Sequence, residues 1–337
     1  MLKKICALVV FVNLVLVNAK TQDLHYSQFY YNYHNLSPSL IGNYGGNDRV
    51  TLNYRNQWAS VPVPYNTISF LYDGARKFKN SQSSYGFGLG LDYDRAGDSK
   101  LNIARFVGAF NYMPYLNKRN KIMIAVSPSI AQRRLSSEEL RWGNQWTGDH
   151  YNKDLPSKEN YSVSGDFFLD LGAGLSYEFR LTNRTKINLS GAAFHLNRPD
   201  QSFYGITQKE AKLPIRYSLS TQIGIGIFSI FDLIISGNYQ LQEEYRETIG
   251  SGLLRIRINQ TPGQILNVLA GCNIRLEDAL IPTAGIEFKN WMVSVSYDIN
   301  TSFFNIATNK KGGPELAVQY VFANINKSGI YKKCPLL

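Results

Sequence analysis

The chain has 337 residues, of which 44% are hydrophobic, 13% aromatic and only 18% charged, and its formal charge is +11. Ordinary proteins are about a quarter charged, so low charge together with 22 Tyr and 18 Phe excludes an extended disordered chain. Only 3 Cys and 4 His exclude a disulfide scaffold and a Cys-rich zinc protein.

Residues 1–19 read as a secretory signal peptide. Lys3 and Lys4 form its positive end, residues 5–17 its apolar stretch, and Val17-Asn18-Ala19 a small-residue cleavage site. Cys6 lies inside this leader and not at the cleavage point, so lipidation is not expected. No later apolar run reaches the roughly 18 residues of a membrane-spanning helix. Residues 20–47 are expected to be a periplasmic segment or a plug.

From residue 48 onward, alternation replaces any helical period. Phe167, Leu169, Leu171, Ala173, Leu175, Tyr177 and Phe179 are apolar at every second position, with Asp170, Gly172, Gly174, Ser176 and Glu178 among their partners. Residues 215–227 and 291–299 repeat the pattern. Period two gives one apolar and one polar face. Fourteen such segments are expected, at 48–57, 65–73, 85–93, 101–116, 122–133, 165–181, 184–197, 214–228, 232–242, 252–259, 264–275, 281–288, 291–300 and 314–324. Most exceed the usual strand of about 5–6 residues and match the roughly 9–11 needed to cross a bilayer at a tilt. The expected fold is all-β: a transmembrane antiparallel β-barrel of about 14 strands over 48–325, with a periplasmic tail at 326–337.

The connections support this topology. Tight turns at 117–121, 182–183, 229–231, 260–263 and 289–290 alternate with longer links at 134–164, 198–213, 243–251 and 301–313. Short periplasmic turns opposite long extracellular loops are the outer-membrane arrangement. Tyr85, Tyr93, Tyr112, Tyr115, Tyr177, Tyr239, Trp291 and Tyr297 fall near strand ends, where aromatic rings meet headgroups.

Charge is asymmetric. Arg76, Lys77, Lys79, Lys118, Arg119, Lys121 and Lys289 lie in the expected periplasmic turns, which contain no Asp or Glu. Losing Lys3 and Lys4 with the leader leaves +9. Such a face suits anionic lipid headgroups or an acidic periplasmic partner, although surface charge also serves solubility alone. Basic residues confined to tight turns of a secreted chain do not suit nucleic acid. The loop 134–164 carries Trp142, Trp146, Tyr151 and Tyr161. It reads either as a contact site, since Trp and Tyr anchor interfaces, or as a folded lid. Trp58, after the first strand, joins Trp142 and Trp146 as an expected contact on the outer face.

No catalytic motif appears. H-E-x-x-H, G-x-S-x-G and a Walker loop are missing. Gly86, Gly88 and Gly90 alternate with Phe87, Leu89 and Leu91, so they form the small face of a strand and not a phosphate cradle. His25, His34, His150 and His195 lack ligand spacing, and no metal or cofactor is expected. Asp170, Glu178, Arg180, Arg216 and Asp298 fall on inward faces, as a polar lumen that ion-pairs or as a selectivity lining. Cys272 and Cys334 are able to pair in an oxidising compartment, and two cysteines do not decide it.

A string of motifs goes further. Gln22-Asp23-Leu24-His25-Tyr26-Ser27-Gln28-Phe29 precedes Leu36-Ser37-Pro38-Ser39-Leu40-Ile41-Gly42, then Arg49, Tyr54-Arg55-Asn56-Gln57-Trp58, Pro64-Tyr65-Asn66-Thr67 and Tyr72-Asp73. This order, and Cys334-Pro335 near the end, resembles the PorP/SprF family of type IX secretion system membrane proteins. Its pattern is an S-Q-[FY] start, an N-P-A-x-x-G step, Y-R-x-Q-W and P-[YF]-x-T leading to Asp. Ser37-Pro38-Ser39 departs from N-P-A. The resemblance implies a non-enzymatic outer-membrane barrel that assists secretion or surface anchoring of a cargo protein such as a gliding adhesin. The partners it implies are membrane lipid and secretion components or cargo. The alternative is an outer-membrane channel for hydrophobic or small solutes, with residues 26–42 as an internal plug. That reading is similar to the fatty-acid transporter family in strand count and N-terminal aromatics. An outer-membrane hydrolase, the third reading, lacks a motif.

Overall fold

The computed structural model describes residues 23–58, 64–79, 81–97, 101–135, 140–158, 167–201, 211–302 and 308–322. The leader, Cys334 and the tail at 326–337 lie outside the described residues. Fourteen antiparallel strands close into one barrel. They are β1 (Asp48–Gln57), β2 (Tyr65–Lys77), β3 (Ser84–Ala96), β4 (Leu101–Met113), β5 (Asn120–Arg134), β6 (Phe167–Arg180) and β7 (Lys186–Phe194). Then come β8 (Arg216–Gly226), β9 (Phe231–Gln242), β10 (Tyr245–Asn259), β11 (Leu266–Arg275), β12 (Ala279–Phe288), β13 (Trp291–Asn300) and β14 (Lys311–Phe322). Each strand pairs with its sequence neighbour, and β1 closes on β14 from Asp48↔Phe322 to Arg55↔Glu315. Closure leaves no sheet edge, as hydrocarbon requires, because an unpaired backbone group there has no water to bond.

The alternation sorts as expected. On β6, Phe167, Leu169, Leu171, Leu175 and Tyr177 point outward, while Asp170, Ser176 and Glu178 are buried inward. Outward apolar side chains meet lipid, and inward polar ones must find partners or water. Arg216 and Asp298 also face inward and are buried. Arg180, also expected inward, stays part-exposed at its strand end and donates to Glu178. Aromatic rings gather at the short-turn end, where Phe78 lies 5.1 Å from Tyr85 and 6.0 Å from Tyr112. On the far side of the seam, Trp291 stands 4.6 Å from Tyr320.

Two expectations are corrected. The link expected at 243–251 is a two-residue turn, Glu243–Glu244, with Glu243 at φ 53, and β10 begins at Tyr245. The strand escapes a period-two reading because its polarity is reversed there. Ile249 and Leu253 are buried inward, and Thr248, Gly250 and Gly252 face out. Lys121, expected among the periplasmic turn charges, is instead buried at the base of β5. Its ammonium donates to Asn43 and lies 3.7 Å from Glu178.

Residues 23–47 lie inside the barrel. Only short helical turns interrupt this segment: 3₁₀ turns at Phe29–Tyr31 and Pro38–Leu40, and one α-helical turn at Tyr33–Leu36. Asp23 sits at the long-loop end against His195 and Arg216, and Asn47 reaches β2 at the short-turn end. The chain therefore runs the length of the lumen before it enters the wall as β1.

Candidate functional site

The lumen is built by inward-facing side chains that hold residues 23–47 along their length. At the long-loop end, Asp23 accepts from His195 Nε2 at 3.1 Å and Arg216 Nε lies 3.2 Å from the same oxygen. His195 is fixed from its other nitrogen by Asp170 at 2.9 Å. Next, Glu315 on β14 accepts the backbone N–H groups of Ser27 and Gln28 at 2.7 and 2.9 Å. Asn273 and Arg55 donate to the carbonyls of Ser27 and His25, both at 2.9 Å. The Ser27 hydroxyl donates to Asp298 and receives Arg275. The contacts of Ser27, Gln28 and His25 meet backbone groups that burial would otherwise leave unsatisfied, or anchor a buried hydroxyl.

Midway, Asp92 on β3 gathers His34, Asn35, Ser69 and Arg105 around one carboxylate, at 3.0, 3.1, 2.7 and 2.8 Å. Arg105 also donates to Asn35. Beyond it, Ser37 and Ser39 bond each other at 2.7 Å, and Ser39 lies 2.5 Å from Ser176. The departure from N-P-A thus places two hydroxyls that bond to each other and to the wall. Asn111 donates to the carbonyls of Ser39 and Ile41 at 2.7 and 2.9 Å. At the short-turn end, Asp73 accepts the Gly42 N–H at 2.8 Å and pairs with Arg49 at 2.7 Å. The Arg49 guanidinium lies between the rings of Tyr33 and Tyr44, 3.6 and 4.2 Å from their centroids.

The glycine stripe of β3 now has a reason. A Cβ on Gly86 would stand 2.5 Å from the Ile41 carbonyl oxygen, and one on Gly88 2.9 Å from the Ile41 side chain. Gly90 faces the His34 ring at 3.1 Å in the same sense. These residues have no side chain because the lumen segment lies directly on the strand. The motif residues belong to the same contacts. Arg49, Arg55 and Asp73 each bond the segment or position a group that does. Motif order was the one sequence signal for them; inward polarity alone marks many lumen residues equally.

The residues expected to meet partners divide between the two ends. At the long-loop end, Trp58 is half-buried with its ring 4.9 Å from Tyr65, and its N–H donates to the Gly312 carbonyl. Within 140–158 the chain is ordered by buried Gln145, which accepts from Trp142 N–H at 3.1 Å and from the Tyr151 hydroxyl at 3.1 Å. Trp142 is half-buried there, while Trp146 is 56% exposed. At the short-turn end, Lys77, Lys79, Lys118 and Arg119 are exposed at the end of β2 and on the turns after β2 and β4. Arg76 differs from them. It pairs with Asp48 at 2.9 Å and donates to the Asn47 carbonyl, so it ties the lumen segment to the wall.

The two ends lead to a topological prediction. A cysteine at Asn152, in the long-loop lobe, is expected to react with a membrane-impermeant maleimide on whole cells. One at Asn183, in the turn between β6 and β7, should react only after the outer membrane is permeabilised. Reaction of Asn183→Cys in intact cells would reverse the orientation.

A closed barrel with a lipid-facing apolar wall, a polar interior and aromatic rings at its ends is an integral outer-membrane protein. More narrowly, the chain belongs to the type IX secretion system membrane protein family PorP/SprF, whose model matches residues 18–320. No curated protein matches it. Solved barrels align over most of its length. The toluene transporter TbuX of Ralstonia pickettii is 11% identical, with 85% of this chain and 92% of that one covered and a TM-score of 0.49. The toluene transporter TodX of P. putida is 9% identical over 85% and 93%, at 0.47. BamA of Haemophilus ducreyi is 9% identical over 82% and 70%, at 0.41.

Proposed function

We propose that this outer-membrane component of type IX secretion holds a secreted cargo protein, such as a gliding adhesin, at the cell surface and does not conduct it. The observation that carries this reading is the filled lumen: residues 23–47 occupy the path that a conducted solute or chain would take. What remains for a cargo is the long-loop rim. Its ordered lobe at 140–158 presents Trp146, a residue type suited to an interface anchor. Trp142 supports the lobe from within, and Trp58 supports the rim beside β2. At the other end, Lys77, Lys79, Lys118 and Arg119 supply a positive face for an acidic periplasmic component of the secretion apparatus.

One experiment separates the two faces. Trp146→Ala is expected to leave a heat-modifiable barrel while lowering surface-retained cargo by about thirtyfold, the loss for an anchor worth about 2 kcal/mol. Lys77, Lys79, Lys118 and Arg119 changed together to Glu should keep the cargo contact yet end co-purification with periplasmic components. Arg76 is left intact, because reversing it would set a carboxylate against Asp48. Normal cargo retention with Trp146→Ala would remove the lobe from the function. Unchanged co-purification in the charge-reversed variant would leave the basic turns to lipid or solubility.

A further inference from the structure

The lumen wall addresses the backbone of residues 23–47 as much as its side chains. Six wall side chains, Glu315, Asn273, Arg55, Arg216, Asn111 and Asp73, bond eight backbone groups between His25 and Gly42. Such groups are common to every peptide, so this set of contacts does not demand one particular sequence. The wall adds a side-chain pocket. Ile249, Leu253, Leu269, Ala279 and Ile281 face inward from β10–β12 and receive Phe29, Tyr30 and Leu36. Five apolar residues together on the inner face of a polar lumen have a purpose only when something apolar fills them.

Apart from Arg216, which pairs with Asp23, the main buried charges of the wall pair with one another. Arg49 pairs with Asp73, Arg55 and Arg275 with Asp298, Arg105 with Asp92, and Lys121 with Glu178. All of these residues are on strands. The segment itself has no Lys or Arg, and its one carboxylate is Asp23. The severe cost of parting a buried ion pair therefore falls only on the Asp23 end when the segment leaves, and water can solvate the rest. The fit is also uneven. A cavity of ≈ 40 Å³ remains between Tyr33 and Leu40 of the segment and Glu178, Lys186 and Gln222 of the wall.

We propose that the lumen is a peptide-binding site whose resident ligand is the chain's own residues 23–47, tethered at one end and displaceable. The ligand class is a peptide of low charge that sets an aromatic pair and an aliphatic side chain on the β10–β12 pocket. This goes beyond the holding of cargo at the rim and does not depend on which cargo is held.

Gly45 is exposed, between the contacts of Tyr44 with Asp73 and those of Asn47 that lead into β1. A protease site inserted between Gly45 and Gly46 of the full chain allows the segment to be cut after the barrel has folded into vesicles. The probe is a fluorescent synthetic peptide of residues 23–45. The uncut barrel should take up no probe. The cut barrel should exchange its segment for the probe saturably, with unlabelled peptide competing, and Glu315→Ala should weaken uptake by about tenfold, since it removes two charge-assisted bonds. As a second measure, Ser176→Cys lies under Ser39. With Cys272 and Cys334 replaced by Ala, its reaction with a water-soluble maleimide should become at least about tenfold faster after cutting, as the covering contact is lost. A cut segment that stays until the barrel itself unfolds would overturn the proposal. So would uptake that neither saturates nor responds to Glu315→Ala.

Discussion

Asp73→Ala is expected to destabilise the folded barrel by about 3–5 kcal/mol, the usual cost of removing one partner from a buried ion pair. The Asp73 side chain is 0% exposed and that of Arg49 only 2%. Without the carboxylate, the guanidinium remains between Tyr33 and Tyr44 with no counter-ion, and the Gly42 N–H loses its acceptor. The Arg49→Ala/Asp73→Ala double variant should be milder than Asp73→Ala alone. It leaves only the Gly42 donor and the vacated space, and one unsatisfied donor costs about 1–3 kcal/mol. Denaturant unfolding in lipid vesicles measures Asp73→Ala, Arg49→Ala and the double variant. Additive single effects would show that the pair is not coupled and that the lumen segment is not secured there.

Gly86→Val and Gly250→Val should differ sharply, although both put a β-branched residue into a strand. At Gly86 the added Cβ meets the backbone oxygen of Ile41 at 2.5 Å and its carbonyl carbon at 3.2 Å. Neither contact is the free end of a flexible side chain. Overpacking of this kind costs about 1–3 kcal/mol, and it should also lift residues 39–43 from the wall. At Gly250 nothing lies within 4 Å of the added Cβ, because the position faces outward. That substitution should stay within about 0.5 kcal/mol of the parent. Equal losses at the two sites would mean that the segment does not rest on β3.

Much of this was legible in the residues themselves. The fourteen strands, most of their inward and outward faces and most of the alternation of short and long connections follow from period two and strand length. These properties are local. A strand in hydrocarbon must pair its backbone and turn apolar side chains outward wherever it sits, so each stretch of sequence carries its own evidence. The family, too, could be recognised from the order of short motifs and is matched over residues 18–320. The local rule failed at Tyr245–Ser251, where apolar Ile249 faces inward. There the lipid does not set the polarity of the wall; Phe29, Tyr30 and Leu36 inside the barrel do.

Only the tertiary structure could decide what the lumen contains and which residues hold it. Glu315 meets Ser27 across 288 positions and Asn273 meets it across 246. No periodicity or spacing links such residues, since the closure of the barrel is what brings them around one segment. The same holds for charge. Arg76, Lys77 and Lys79 look alike in sequence, yet Arg76 is committed to Asp48 and Asn47 while the two lysines stay exposed. Gly86 and Gly250 are both glycines of barrel strands, although Gly250 falls in the link expected at 243–251. One faces lipid and the other a buried carbonyl, because the face of a strand is encoded in its own alternation and the occupant of that face is not.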